Sequence, residues 1–138
     1  MDKHLKILFI EDSPHDVELI QRELRRASIE FTSYIVETRA DFLFALEKFS
    51  PDLILSDFTL PQFNSLEALT ILKQNKIAIP FVNITGAVAE NFIVESIRAG
   101  ADDYILKTSL NRLSASILNI FENPKYTIRS TLFWENTK

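Results

Sequence analysis

The run Leu53-Ile54-Leu55 carries apolar side chains at consecutive rather than alternate positions, and this constrains the fold more than any other feature of the chain. It suits a strand buried on both faces of a parallel sheet. The run delivers Ser56-Asp57 to its carboxyl end and stops at Leu60-Pro61. Open α/β sheets bind ligands outside the carboxyl ends of their strands, which is where Asp57 would stand. The alternative is an ordinary turn aspartate ahead of a proline, and this segment alone does not choose between them.

The rest of the chain repeats the pattern. Lys6-Ile7-Leu8-Phe9-Ile10 reads as a strand ending in Glu11-Asp12-Ser13-Pro14. Ser13 can cap a helix, Pro14 suits its first turn, and Asp16 puts negative charge near the positive end of the helix dipole. Val17, Ile20, Leu24 and Ala27 recur at helical spacing to about Ala27. Phe31 to Val36 is a more mixed strand, and Thr38 with Asp41 resembles a cap before Ala40, Leu43, Ala45, Leu46 and Phe49. A helix from about Ser65 carries Leu66, Leu69, Ile71 and Leu72, and Ile79-Pro80 introduces a strand Phe81-Val82-Asn83-Ile84 that exits at Thr85-Gly86. Ala89 to Ala99 is a helix closed by Gly100, a candidate for the left-handed residue after a helix. Asp103 to Lys107 is the fifth strand, and Leu110, Leu113, Ile117 and Phe121 mark the last helix. Five strands alternating with five helices predict an α/β doubly wound parallel sheet with right-handed crossovers.

At 138 residues one core is expected. A net charge of −4 lacks the basic footprint of a nucleic-acid binder, so no direct nucleic-acid contact is expected. The absence of cysteine excludes disulfides and thiolate sites and is compatible with a reducing cytoplasm. No apolar stretch approaches the length of a membrane span, so a cytoplasmic protein with no membrane contact is expected. Gly86 and Gly100 are the two glycines, too few for a Gly-rich phosphate loop. Residues 123–138 form a tail too short for a second domain and a candidate for an extra strand or for association, with Phe133 and Trp134 as candidates for a homodimer surface. His4 and His15 belong to no convincing triad.

The polar residues that look out of place all follow strands: Glu11 and Asp12 the first, Asp57 the third, Thr85 the fourth, Lys107 the fifth. In the common strand order 2-1-3-4-5 the first and third strands are neighbours, so Glu11, Asp12 and Asp57 converge, with Thr85 and Lys107 reaching in from one side. Carboxylates held together are costly, since two unit charges about 4 Å apart repel by about 4 kcal/mol at an effective dielectric near 20. A hard divalent cation such as Mg²⁺ (or Mn²⁺) offsets this through oxygen ligands. Lys107 adds positive charge and the Thr85 hydroxyl a donor toward an added oxyanion. That is the equipment for phosphoryl transfer onto a carboxylate. Singly, each residue also has an ordinary reading: helix-start carboxylates, a turn threonine, a solvated lysine.

The segments Phe9-Ile10-Glu11-Asp12-Ser13-Pro14, Asp52-Leu53-Ile54-Leu55-Ser56-Asp57, Leu60-Pro61, Leu66-Glu67-Ala68-Leu69, Ala99-Gly100-Ala101-Asp102-Asp103-Tyr104 and Leu106-Lys107 resemble, in order and spacing, the receiver domain of two-component response regulators. The resemblance covers about residues 5 to 121 and implies a flavodoxin-like receiver fold over 1–122, followed by the 123–138 tail. It implies that Asp57 accepts a phosphoryl group from a sensor histidine kinase or phosphotransfer protein. It further implies that Asp12 ligates Mg²⁺ directly, Glu11 largely through water and Thr59 by its main-chain carbonyl. Thr85 and Lys107 match the residues that bind the phosphoryl oxygens, and Tyr104 the aromatic that turns inward as the hydroxyl residue moves. Two positions depart from the family: Ser65 stands where glycine is common, and Thr108 follows Lys107 where proline is usual, which bears on the cis peptide often found there.

The expected function is therefore a stand-alone phosphorylation-controlled switch, not an enzyme beyond its own phosphorylation and dephosphorylation, acting through an unidentified downstream protein. Two alternatives stay open: a receiver-like binding module that works without phosphorylation, and a small phosphatase with Asp57 as nucleophile. Phosphatases of the haloacid dehalogenase type usually need a second aspartate two residues on, where this chain has Thr59. A flavin carrier is disfavoured because Glu11-Asp12 would repel an anionic phosphate.

Overall fold

The structure, a computed structural model, describes residues 4–58, 60–86 and 90–126. The chain alternates β1 (Leu5–Ile10), α1 (Pro14–Arg26), β2 (Phe31–Val36), α2 (Arg39–Lys48), β3 (Leu53–Ser56), α3 (Ser65–Gln74), β4 (Phe81–Thr85), α4 (Glu90–Arg98), β5 (Asp103–Leu106), a 3₁₀ segment (Lys107–Arg112) and α5 (Leu113–Phe121). The strands pair in parallel in the order β2-β1-β3-β4-β5, as expected. No helix among the described residues is long and apolar enough to cross a membrane.

Consecutive apolar residues appear in β1 and β3 because each strand feeds two cores. Ile7, Phe9, Leu53 and Leu55 face a cluster with Val17, Ile20 and Leu24 of α1 and Leu113, Ile117 and Ile120 of α5. Leu8, Ile10 and Ile54 face the opposite cluster with Phe42, Phe63, Leu69 and Leu72. With both faces covered, sliding a strand by one residue would exchange its two apolar sets and misfit both clusters. Register is thereby pinned, and it sets Ile10 beside Ser56 and Ser56 beside Asn83. The carboxyl ends of β1, β3 and β4 thus form one edge.

Local signals start the helices where expected. Ser13 accepts the amide of Asp16 at 3.3 Å, Thr38 that of Asp41 at 3.1 Å, and Asn64 that of Glu67 at 3.0 Å. Each satisfies one of the amides a helix start leaves without a partner. Gly100 has φ of 112°, a backbone region that favours glycine.

Three features depart from the expectations or extend them. Lys107 opens the 3₁₀ segment rather than ending β5, and α5 begins at Leu113, because Ser109 at φ −133° and ψ 41° breaks helical geometry in between. No cis peptide occurs among the described residues, so the Lys107–Thr108 bond is trans. The packed core also reaches past residue 122. Tyr126 is 6% exposed within the α1/α5 cluster. Its hydroxyl donates to the Asp102 carboxylate at 2.8 and 3.0 Å, and that carboxylate also accepts the amide of Phe81 at 2.9 Å. The self-association expectation for Phe133 and Trp134 lies outside the described residues.

Candidate functional site

The edge formed by the strand ends gathers the expected carboxylates. The amide of Asp57 donates to the Ile10 carbonyl at 2.8 Å and that of Glu11 to the Val36 carbonyl at 3.1 Å, so the sheet ladder itself aims both residues. Glu11, Asp12 and Asp57 each offer an oxygen, and these atoms lie within 4.8 Å of one another. Their surroundings differ: Glu11 is buried, Asp57 partly buried and Asp12 exposed.

Lys107 reaches into this group from the start of the 3₁₀ segment. Its Nζ lies 2.7 Å from Asp16 Oδ2, 3.3 Å from Glu11 Oε2 and 3.7 Å from Asp57 Oδ2. Burial disfavours the lysine charge, but the bond to Asp16 and the fields of Asp57, Glu11 and Asp16 outweigh it and raise the ammonium's pKa. The same bond, as the foremost cause, lowers the pKa of Asp16. Glu11 goes the other way. Burial, then the nearby Asp57 charge, push its carboxyl up from 4.5 to about 7, against the lowering influence of Lys107 and the Ser13 amide.

The raised Glu11 pKa thus reflects burial first and the neighbouring Asp57 charge second, with Lys107 offsetting only part of them. The donor set is all oxygen, with one exposed and one partly buried carboxylate, and this fits a hard divalent cation that retains several waters. Position 59 lies outside the described residues, so the expected main-chain ligand there is not placed.

Of the remaining expected site residues, Thr85 ends β4, 9% exposed, beside Leu106 in the register. Tyr104 is partly buried on β5 opposite Asn83. Ser65, where the family commonly has glycine, is fully buried in the first turn of α3, and its hydroxyl has no partner among the described residues.

Sequence reasoning passes over three contacts. Asp16 stands out in the sequence only as a helix-dipole charge, although it lies four residues after Asp12 in the first turn of α1. Phe58, next to Asp57, packs its ring on Phe92 of α4 with centroids 4.7 Å apart. Asn83, 2% exposed on β4, donates its side-chain amide to Ser96 Oγ of α4 at 2.7 Å, while its Oδ1 has no partner among the described residues. A polar residue inside an apolar strand is the available signal for the last.

Comparison with known proteins gives a consistent picture. The model of the response regulator receiver domain matches residues 7–118. The alkaline phosphatase synthesis transcriptional regulatory protein PhoP of Bacillus subtilis is 35% identical over 105 residues, which are 74% of this chain and 42% of that protein. The regulatory protein LuxO of Vibrio cholerae is 29% identical over 80% of this chain and 24% of its own length. The chain thus spans less than half the length of these curated relatives. Among solved structures, the signal receiver domain of a LuxO repressor-like protein from Vibrio parahaemolyticus superposes with a TM-score of 0.79 at 23% identity, covering 94% of this chain and 98% of that one. The Mn²⁺-bound form of response regulator Rcp1 is 29% identical with a TM-score of 0.62, over 74% of this chain and 80% of that one.

Proposed function

The chain belongs to the response regulator receiver family, and on that premise we propose that it is a signalling switch whose state is set by a phosphoryl group on Asp57. The observation that carries this reading is the meeting of Glu11, Asp12 and Asp57 within 4.8 Å, with the Lys107 ammonium 3.7 Å from Asp57. In the reaction an Asp57 oxygen forms the new bond to phosphorus as the donor's bond to that phosphorus breaks. The donor is the phosphohistidine of a sensor kinase or phosphotransfer protein.

Asp12 and Asp57 hold Mg²⁺ or Mn²⁺ directly in this reading, Glu11 largely through water, and the Thr59 carbonyl completes the protein ligands. When bound, the cation neutralises charge on the transferring group. Lys107 and the Thr85 hydroxyl bind the phosphoryl oxygens, with the lysine supplying charge and the threonine a donor. Movement of Thr85 toward the phosphoryl group vacates space that Tyr104 fills. The altered α4–β5–α5 surface is then read by a downstream protein. Binding of Mn²⁺ by the similar response regulator Rcp1 supports the divalent site.

The test is to incubate the protein with acetyl phosphate and Mg²⁺ and weigh it intact. A stoichiometric phosphate adduct that disappears in Asp57→Asn is expected. Steady release of phosphate without an adduct would favour the phosphatase reading. No adduct with any donor would leave a binding module that works without phosphorylation.

A further inference from the structure

Lys107 faces carboxylates of three residues, yet its shortest bond is to the one the proposed reaction does not use. Asp16 Oδ2 lies at 2.7 Å, within good charge-assisted hydrogen-bond distance, whereas Asp57 Oδ2 at 3.7 Å is beyond it. The ammonium is thus tied to α1 and reaches Asp57 only through its field.

Asp16 is well placed to hold it. It sits in the first turn of α1, where Pro14 and the Ser13 cap define the backbone and the helix dipole favours a carboxylate. The lysine stem passes Gly86 on its other side. A Cβ added at Gly86 would meet Lys107 Cδ at 3.8 Å, so a side chain at the β4 exit would be in ordinary contact with the stem. The Lys107 side chain is 20% exposed and that of Asp16 26%, which distinguishes this pair from a freely solvated surface ion pair of little consequence.

We infer that Asp16 is a positioning residue: by holding the Lys107 ammonium on the α1 side it keeps the Asp57 oxygens open to a divalent cation and to incoming phosphorus. Without it, the nearest alternative partners of the ammonium are Glu11 and Asp57 themselves. A lysine bonded to those carboxylates competes with the cation for them. The inference rests on the proposed role of Asp57 and adds a residue that sets how available Asp57 is.

A double-mutant cycle in Mg²⁺ affinity tests it without any phosphoryl donor, using calorimetric titration of the full chain, Asp16→Asn, Lys107→Met and the double variant. Asp16→Asn is expected to weaken Mg²⁺ binding by about fivefold or more, but by less than about twofold when Lys107 is already Met. The same loss in both backgrounds would mean that Asp16 acts through its own charge, and would overturn the inference, as would no loss at all. A second measurement reads the anchor directly, even if Mg²⁺ does not bind. The ¹⁵Nζ resonance of Lys107 should be slow to exchange with water in the wild-type chain and in Asp57→Asn, and lost in Asp16→Asn. Retention in Asp16→Asn with loss in Asp57→Asn would assign the anchor to Asp57. Because neither measurement needs an adduct, failure of the Asp57 reading and failure of the Asp16 inference are distinguishable.

Discussion

The two sides of the candidate site are built differently. On the β1–α1 side, α1 is capped by Ser13, opens with Pro14 and buries Val17, Ile20 and Leu24 against the sheet. On the β4–α4 side, Ser96 is the one buried residue among the described side chains of α4, while Phe92, Val94 and Ile97 are 40 to 47% exposed. What ties α4 to the sheet includes one polar bond, Asn83 to Ser96, and one aromatic contact, Phe92 on Phe58. The first side has the construction of a platform that keeps charged groups in fixed places. On the second side β4 is fully buried, but the described side chains of α4 make few buried apolar contacts, the condition under which an element shifts at low free-energy cost. A site that must hold chemistry still on one side and respond on the other would divide its packing in this way.

The sharpest way to break this comparison is to truncate one apolar side chain on each side. Leu24→Ala on α1, fully buried, is expected to lower stability by about 2–5 kcal/mol. Val94→Ala on α4, 47% exposed, should change it by no more than about 0.5 kcal/mol. Urea unfolding of both decides, and comparable losses would erase the distinction.

The next effect comes from the charge on the platform side. The Glu11 carboxyl lies near 7 in the folded protein and at 4.5 as its ordinary value. Between these values the folded chain binds the proton that the unfolded chain has released, so stability of the metal-free protein falls as pH rises from about 4.5 to about 7 and levels off above. Thermal unfolding across that range should show the fall, and saturating Mg²⁺ should reduce it by stabilising the ionised cluster. A flat profile without metal would show Glu11 to be far less constrained than its burial implies.

Ser96→Ala probes the α4 side. It strands the Asn83 side chain, whose Oδ1 already lacks a partner among the described residues, at a cost of about 1–3 kcal/mol. Hydrogen exchange should then quicken in α4 while the α1 amides keep their protection. Equal quickening in both helices would mean that they open together.

The smallest effect is expected at Ser65. Its buried hydroxyl has no partner among the described residues, so Ser65→Ala should be neutral or stabilising by up to about 1 kcal/mol. A loss would reveal a partner for the hydroxyl, and denaturant midpoints measured in parallel would show it.

Most of the fold is legible in the sequence, and for a local reason. Consecutive apolar residues in Leu53-Ile54-Leu55 require two covered faces, and Ser13-Pro14 and Thr38 start helices through bonds to residues three positions on. What escapes such reading lies where two segments compete for the same residues. The 3₁₀ segment takes Lys107 from β5, and with a non-helical residue inside it at Ser109, α5 begins only at Leu113. The core continues to Tyr126 because its hydroxyl finds Asp102, 24 residues earlier, a pairing that no periodicity encodes.

The candidate site divides along the same line. By itself the sequence determined which residues would stand at the carboxyl edge, because alternation of strands and helices sends every strand in one direction and Glu11, Asp12, Asp57, Thr85 and Lys107 lie at or next to strand ends. Only the tertiary structure decided how those charges are shared. A lysine ammonium on a flexible stem takes the nearest well-placed oxygen, and at this edge that oxygen belongs to Asp16 of α1, 91 residues away in the chain.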